Sequence, residues 1–300
     1  VVAREGTVPP GYARYIGEKV FLLVVGVALL GALVVFAIAI GSVSYDPFDV
    51  LKTLARMPVS KQLDVVVFNI RLPQVLAAVV AGAGLSAAGV VMQSVLCNPL
   101  GSPFTLGVSQ AAAFGAAFSV MVMGSGFMQS SVSDAVTVVR PGITTMMAFI
   151  ASMAATGVVV LVAKVRRGSP EVMILAGVAL GSLCTAATMF LQYFADDVQL
   201  AAMVFWTFGD LARAGWKELG LISAVTAFCI LFFAANAWNY NAIDAGDETA
   251  MSLGVNVKNV RFLGMALSSL VTAVIISFVG VIGFVGLVCP HIARRLVGGD

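Results

Sequence analysis

Seven stretches of this chain run for at least twenty residues without one Asp, Glu, Lys or Arg: 20–40, 73–96, 104–123, 141–163, 172–193, 219–238 and 262–292. A helix needs about 20 apolar residues to cross the roughly 30 Å hydrocarbon layer. A strand-built or water-soluble fold has no use for so many runs of that length. Composition agrees: 60% of the residues are hydrophobic, 11% are charged and the mean hydropathy is +1.02. Soluble domains carry about one quarter charged residues, so this chain lacks the polar surface to face water on all sides. The last run is too long for one ordinary span at about 1.5 Å per residue. Gly280, Gly283 and Gly286 interrupt it, and two shorter segments turning near residues 279–281 are expected. The expectation is an all-α, polytopic transmembrane bundle with eight spans in one domain over residues 1–300.

The first run is longer than a signal-peptide core and has no A-x-A site behind it, so it is read as the first span. The chain opens Val1-Val2 rather than Met, so a start upstream is expected. Residues 1–19, with Pro9-Pro10, read as a polar cytoplasmic lead-in. With that end inside, Arg4, Arg14, Lys19, Lys164, Arg166, Arg167, Lys258, Arg261, Arg294 and Arg295 are cytoplasmic, while Lys52, Arg56, Lys61, Arg71, Arg140, Arg213 and Lys217 are outside. The bias obeys the positive-inside rule, and the tight Lys164-Val165-Arg166-Arg167 turn carries most of it. The net charge of +2 forms no basic stripe, so no nucleic-acid partner is expected.

Between the spans, Asp46-Pro47 followed by Phe48, Val50, Leu51 and Leu54 predicts a short helix on the outer membrane surface. Arg71-Leu72-Pro73 predicts a helix start, because proline's missing N–H costs nothing in the first turn. The small residues from Ala77 to Gly89 mark a face where helix backbones come close, which makes span two central in the bundle. Asn98-Pro99-Leu100-Gly101-Ser102-Pro103 is a fixed, non-helical turn. Residues 195–219 read as an outer interfacial segment with Trp206 and Trp216 at headgroup depth. In the inner loop 239–261, Asp247 and Glu248 supply acid at a helix start, Ala250, Met251 and Leu253 an apolar face, and Gly254 the stop. A short helix at about 247–253 is expected there, outside the membrane core.

Arg71-Leu72-Pro73, Gly89-Val90-Val91-Met92-Gln93, Asn98-Pro99-Leu100, Leu106-Gly107-Val108-Ser109 and Gly283-Phe284-Val285-Gly286-Leu287-Val288-Cys289-Pro290-His291 follow one another in an order and spacing that resembles the permease subunits of type II ABC importers, the FecCD family, which carry iron–siderophores, haem or vitamin B12. The resemblance runs from about residue 46 to 295. It implies ten helices per subunit, a second permease copy with the pathway at the pair's interface, two cytoplasmic ATPases that use ATP and Mg, and an extracytoplasmic binding protein. It also implies that about 50 C-terminal residues follow residue 300. Loop 239–261 becomes the coupling loop, with Asp247, Glu248, Ala250, Met251, Leu253 and Gly254 meeting the ATPase. Arg56, Lys52 and Lys61 become candidates for docking the binding protein's acidic lobes, Arg56 first. The chain has no G-x-x-x-x-G-K-[ST] phosphate loop, so it is expected to be a non-enzymatic transport subunit without a cofactor of its own.

Several residues carry two readings. Gln93, Ser109 and Gln110 either line the pathway or, as preferred, bond between helices. Asn98, Pro99, Gly283, Gly286 and Pro290 belong to the family motifs. His291, the single histidine, is either a haem or metal contact or, as preferred, a helix-end residue bonding backbone that Pro290 frees. The thirteen methionines offer a soft wall to a bulky chelate, with ordinary packing as the default. Cys97, Cys184, Cys229 and Cys289 stand singly, with no C-x-x-C pair, so no metal site is expected. A proton- or ion-coupled carrier or channel would hold ionisable side chains inside its spans, and a membrane-embedded enzyme would cluster them. The spans hold none before His291. Ferric siderophore is the first choice of cargo, then haem or cobalamin, then an oxyanion such as molybdate. The chain is expected in the cell membrane, embedded in its lipid bilayer.

Overall fold

The computed structural model describes residues 10–41, 43–125, 141–165 and 169–298, with side chains from residue 16 onward. The expectations for Arg4, Arg14, Arg140, Arg166 and Arg167 lie outside the described side chains. The described residues are helical, with turns and no strand. Among the described residues, six helices are long and apolar enough to cross a membrane. Two further apolar expectations come out shorter. Residues 104–123 yield a helix of 15 residues, about 22 Å long, because Pro103 and the left-handed Gly107 (φ +78°) hold the preceding chain out of it. The end of the 262–292 run yields a 13-residue helix.

The chain divides into two compact units, Val1–Val75 with Ile292–Asp300, and Leu76–His291. In the first, helix α1 (Pro10–Ala39) begins inside the expected polar lead-in. Only 6% of its most apolar window is covered by protein, and Phe21, Leu23, Val27 and Leu33 stand exposed, as suits a lipid-facing helix. Helix α2 (Pro47–Leu54) is the expected surface helix. Asp46 caps it by accepting the Phe48 N–H at 2.8 Å, Val50 is buried and Phe48 is exposed.

The expected helix start at Arg71-Leu72-Pro73 is corrected. Helix α3 (Lys61–Val65) runs through a π-helical turn (Val66–Arg71) into α4 (Leu72–Val95), giving one stretch of 35 residues. Pro73 therefore sits inside a helix, where its ring crowds the carbonyl four residues back. The wider π turn, in which the Leu72 N–H reaches Val67 O, takes up that crowding. Arg71 is also no loop charge. It is 9% exposed and donates to the carbonyls of Ile38, Ala39 and Val43, closing the end of α1. A cation there also complements the negative end of the helix dipole.

The second unit packs α4 with α5 (Val108–Val122), α6 (Pro141–Val165), α7 (Pro170–Phe194), α9 (Trp216–Ala235) and α12 (Val257–Val279). Helix α12 is the most enclosed, with 67% of its window covered against 44% for the stretch containing α4, so the central place expected for span two is shared. Helix α8 (Asp197–Thr207) lies in the expected interfacial segment and opens with an Asp196/Gln199 capping box. Its Trp206 is 4% exposed and packs with Ala112, Ala148 and Ile276, so the ring is covered by protein. Trp216 is half exposed.

After α12 the chain unwinds over residues 280–284 before α13 (Val285–Val297). Unwound backbone is tolerated at membrane depth only where protein encloses it or it lines a cavity. Two close approaches enclose this break. At one end Gly280 (φ +80°) lies against Trp206 O and Gly209, and the Asp210 N–H donates to Val279 O at 2.6 Å. At the other, α13 lies so close to α4 that a Cβ on Gly89 would stand 1.8 Å from Gly286 O. That carbonyl is the one Pro290, having no N–H, cannot satisfy within the helix. Small residues permit this contact and lipid offers no substitute for it. Gly89→Ala should therefore cost about 1–3 kcal/mol or more, read as a lower melting temperature in detergent. Gly283→Ala should change little, since its Cβ would meet only the Phe104 ring at 3.7 Å. Equal melting temperatures for the two variants would contradict this packing.

Candidate functional site

The inner loop is more structured than its sequence suggests. Asn236 ends α9, its side chain donating to Phe232 O at 2.9 Å. Helix α10 (Ala237–Asp244) and helix α11 (Asp247–Ser252) then fold back as a pair. α11 is flanked by left-handed Gly246 (φ +107°) and Gly254 (φ +82°), and the Gly254 and Val255 N–H groups close its last turn on Met251 O and Ala250 O. The expected helix is present.

Its expected apolar face is divided. Ala250 is fully buried against Ala242, Ile243 and Val257, whereas Met251 and Leu253 are 58% and 70% exposed. Six residues make fewer than two turns, so Ala250 and Met251, adjacent in sequence, point to different sides. Glu248 is exposed beside them. Nearby, burial pushes the Tyr240 hydroxyl up to about 12.

Asp247 is engaged inside the subunit. Its Oδ1 and Oδ2 accept from Arg261 Nη2 and Nη1 at 2.8 and 3.1 Å, and Arg261 is 5% exposed. The same guanidinium donates through Nε to Val95 O at 2.7 Å and through Nη2 to Cys97 Sγ at 3.5 Å. Ser94 adds a bond to Asp244 at 2.9 Å. The sequence marks Arg261 only as a positive-inside charge. The signal that could have found it is its place on the buried face of α12, with Gly264, Met265 and Ser268.

The family-motif residues divide by role. Asn98 Oδ1 accepts the Leu100 N–H at 2.9 Å and Pro99 follows it, so this pair builds the turn after α4. Gly283 and Phe284 belong to the unwound segment, with Phe284 stacked on Phe104 at 6.1 Å. Gly286 meets Gly89, and Gln93 Nε2 reaches Leu287 O at 3.5 Å, which meets the expectation of inter-helix bonding for Gln93. His291 is exposed on α13, and the Gly286 carbonyl it was expected to help lies against Gly89 instead.

Ser109 and Gln110 depart from the preferred reading. Ser109 Oγ and Gln110 Oε1 are buried without a hydrogen-bond partner, and both residues line a 240 Å³ cavity with Thr185, Thr188, Gln192 and the unwound Val281. An adjoining 480 Å³ cavity shares Gln110 and Thr185. Both are walled by hydroxyls, amides and apolar groups. A larger cavity of 1060 Å³ holds Trp206, Asp210, Arg213 and Glu218. There Arg213, expected as a plain loop charge, donates to Phe205 O at 2.9 Å; burial lowers its pKa and the neighbouring Asp210 carboxylate opposes that shift.

The residues expected to dock a binding protein lie apart from this loop in sequence and in the first unit. Lys52 pairs with Asp49 at 3.0 Å, Arg56 (φ +60°) lays its guanidinium 4.1 Å over Phe68, and Lys61 is exposed at the start of α3.

The sequence pattern of the FecCD transport family matches residues 29–300. This chain belongs to that family. A candidate ABC transporter permease protein of Methanocaldococcus jannaschii is 44% identical over 98% of this FecCD chain and 83% of its own length. The hemin transport system permease protein of Yersinia pestis is 32% identical over 91% of this chain and 80% of its own length. A solved structure described as an inward-facing conformation of a candidate metal-chelate type ABC transporter superposes with a TM-score of 0.77 at 28% identity, covering 93% of this chain and 82% of the other. Other relatives are named for import of molybdate, Fe(3+)-citrate and cobalamin. The family resemblance read from the sequence is therefore correct, and the chain is a member of an ABC importer permease family.

The divided face of α11 gives a direct check. Leu253→Ser should leave stability within about 0.5 kcal/mol, as for surface sites, because Leu253 supports nothing within the subunit. Ala250→Asp should cost several kcal/mol, since it buries an unpaired charge. Melting temperatures in detergent read both, and a large loss from Leu253→Ser would show that it packs against its own subunit.

Proposed function

We propose that this chain is the membrane-embedded translocation subunit of an ATP-driven importer. It works with a second permease copy, two cytoplasmic ATPase subunits that use ATP and Mg, and an extracytoplasmic binding protein. The observation that carries the reading is the exposed pair Met251 and Leu253 on a short helix already anchored from behind. A six-residue helix cannot stand alone in water, and its backing here is complete without those two side chains. Exposed apolar residues on an anchored helix fit a groove on a cytoplasmic protein. In this reading the chain crosses the cell membrane eight times, α5 and α13 serving as the two short crossings, with its N-terminus in the cytoplasm.

We infer an iron–siderophore, haem or cobalamin-type chelate as the cargo. The support is the chemistry of the cavities beside the unwound segment, where Ser109, Gln110, Thr185 and Thr188 present uncharged hydrogen-bonding groups. A metal already wrapped in an organic ligand carries its charge inside and loses little hydration against such a wall. A bare oxyanion would be desolvated without a cationic partner. The molybdate-named relative keeps oxyanion import as the second reading. An ion-coupled carrier has less support, since these cavity walls hold no ionisable side chain.

Two measurements test the proposal. Leu253→Glu places a charge where the ATPase groove would close, and an unpaired buried charge costs several kcal/mol. ATP-driven uptake and substrate-stimulated hydrolysis in proteoliposomes should both collapse while the permease still inserts and dimerises. Normal turnover would mean that the ATPase contact lies elsewhere. For orientation, a membrane-impermeant maleimide should label the exposed Cys97 from the cytoplasmic face alone, in a variant whose other exposed thiol, Cys289, is replaced by Ser. Labelling from the outer face would invert the topology.

A further inference from the structure

Asp247 opens α11, and both of its carboxylate oxygens accept from Arg261 while the side chain stays partly exposed. Arg261 also solves a backbone problem at the end of α4. In a continuing helix Val95 O would accept the N–H of residue 99, but that residue is Pro99, which has none. Arg261 Nε supplies the missing donor at 2.7 Å. One guanidinium thus binds the first residue of α11 and the last carbonyl of α4. A second tie, Ser94 to Asp244, joins the same helix end to α10.

We propose that Arg261 is a positioning residue that locks α11 to the inner end of α4, so that a displacement of α11 by the ATPase reaches α4 as a rigid push. The inference rests on the importer reading above. Gly246 and Gly254, both left-handed, bound α11 and would let it swivel if nothing held it. A bidentate Arg–carboxylate pair fixes orientation as well as position, which a single bond or a Lys could not. From α4 the push continues by contact, since Gly89 abuts Gly286 and Gln93 reaches Leu287 O on α13. The unwound segment and the cavities beside it lie at the end of that path.

The test uses the full assembly of permease pair, ATPases and binding protein in proteoliposomes, reading ferric siderophore, haem or cobalamin, each offered in turn, imported per ATP hydrolysed. Asp247→Asn keeps the shape of the side chain and removes its charge. Arg261→Lys keeps the charge and removes the fork. Each should leave ATP hydrolysis near the unmodified rate and lower the imported-to-hydrolysed ratio about tenfold, within the usual range for linked sites. The double variant should be no worse than Arg261→Lys alone, because both break one pair. A residue with only a structural role would lower hydrolysis, import and assembly together and leave the ratio unchanged, and that outcome overturns the inference. Should Arg261→Lys fail to assemble, Asp247→Asn decides alone. The unmodified assembly separates the two claims: ATP-driven uptake there upholds the importer reading whatever the variants do, and its absence removes both.

Discussion

Within an apolar layer, a backbone carbonyl whose donor has been replaced by proline must find another partner or remain buried and unsatisfied. Most of the distinctive geometry of this chain answers that constraint. Pro73 is accommodated by a π-helical turn. Pro99 leaves Val95 O to Arg261, and Pro290 leaves Gly286 O facing the backbone of Gly89. Both carbonyls lie at α4, Val95 O bonded to Arg261 and Gly286 O of α13 in close contact with Gly89. Had either proline been another residue, those contacts would compete with ordinary helix bonds.

The two arginines buried among the described residues share a logic. Arg71 closes the carbonyl end of α1 and Arg261 closes that of α4. Both lie where the helix dipole is negative, and both replace donors that water would otherwise provide. Neither is a free surface charge that sets topology by its count. In Arg261 the role is extended, because the remaining fork of the guanidinium takes Asp247 and so joins a backbone requirement to the loop that a cytoplasmic partner would touch.

Much of this was legible before the structure. Runs without charge located the long helices because a membrane imposes one length and one solvent on all of them, and the glycines placed the break after α12 within a few residues. The inner helix at 247–252 was visible from its acids and its glycine stop. The pairing of Asp247 with Arg261 was not, since residues 14 apart meet only when α11 turns back against α12, and no periodicity encodes that. The side to which Ala250 and Met251 point was equally hidden in so short a helix. Ser109 and Gln110 were expected to bond across helices. Their unpartnered atoms face cavities whose walls come from α7 and the unwound segment, far away in sequence. The turn role of Asn98 and Pro99 was readable, but the consequence of Pro99 for Val95, four residues back, needed Arg261 in place.

If Arg261 locks the loop to the bundle, the inner end of α4 and the α10–α11 pair move as one body. Spin labels at Met251→Cys and Leu100→Cys, both at exposed sites, with Cys97 and Cys289 replaced by Ser, report that distance by double electron–electron resonance in the assembled transporter. The same distance distribution in the nucleotide-free and ATP-trapped states is the result this account predicts. A shift approaching the roughly 5 Å of a one-turn slip between helices would contradict it.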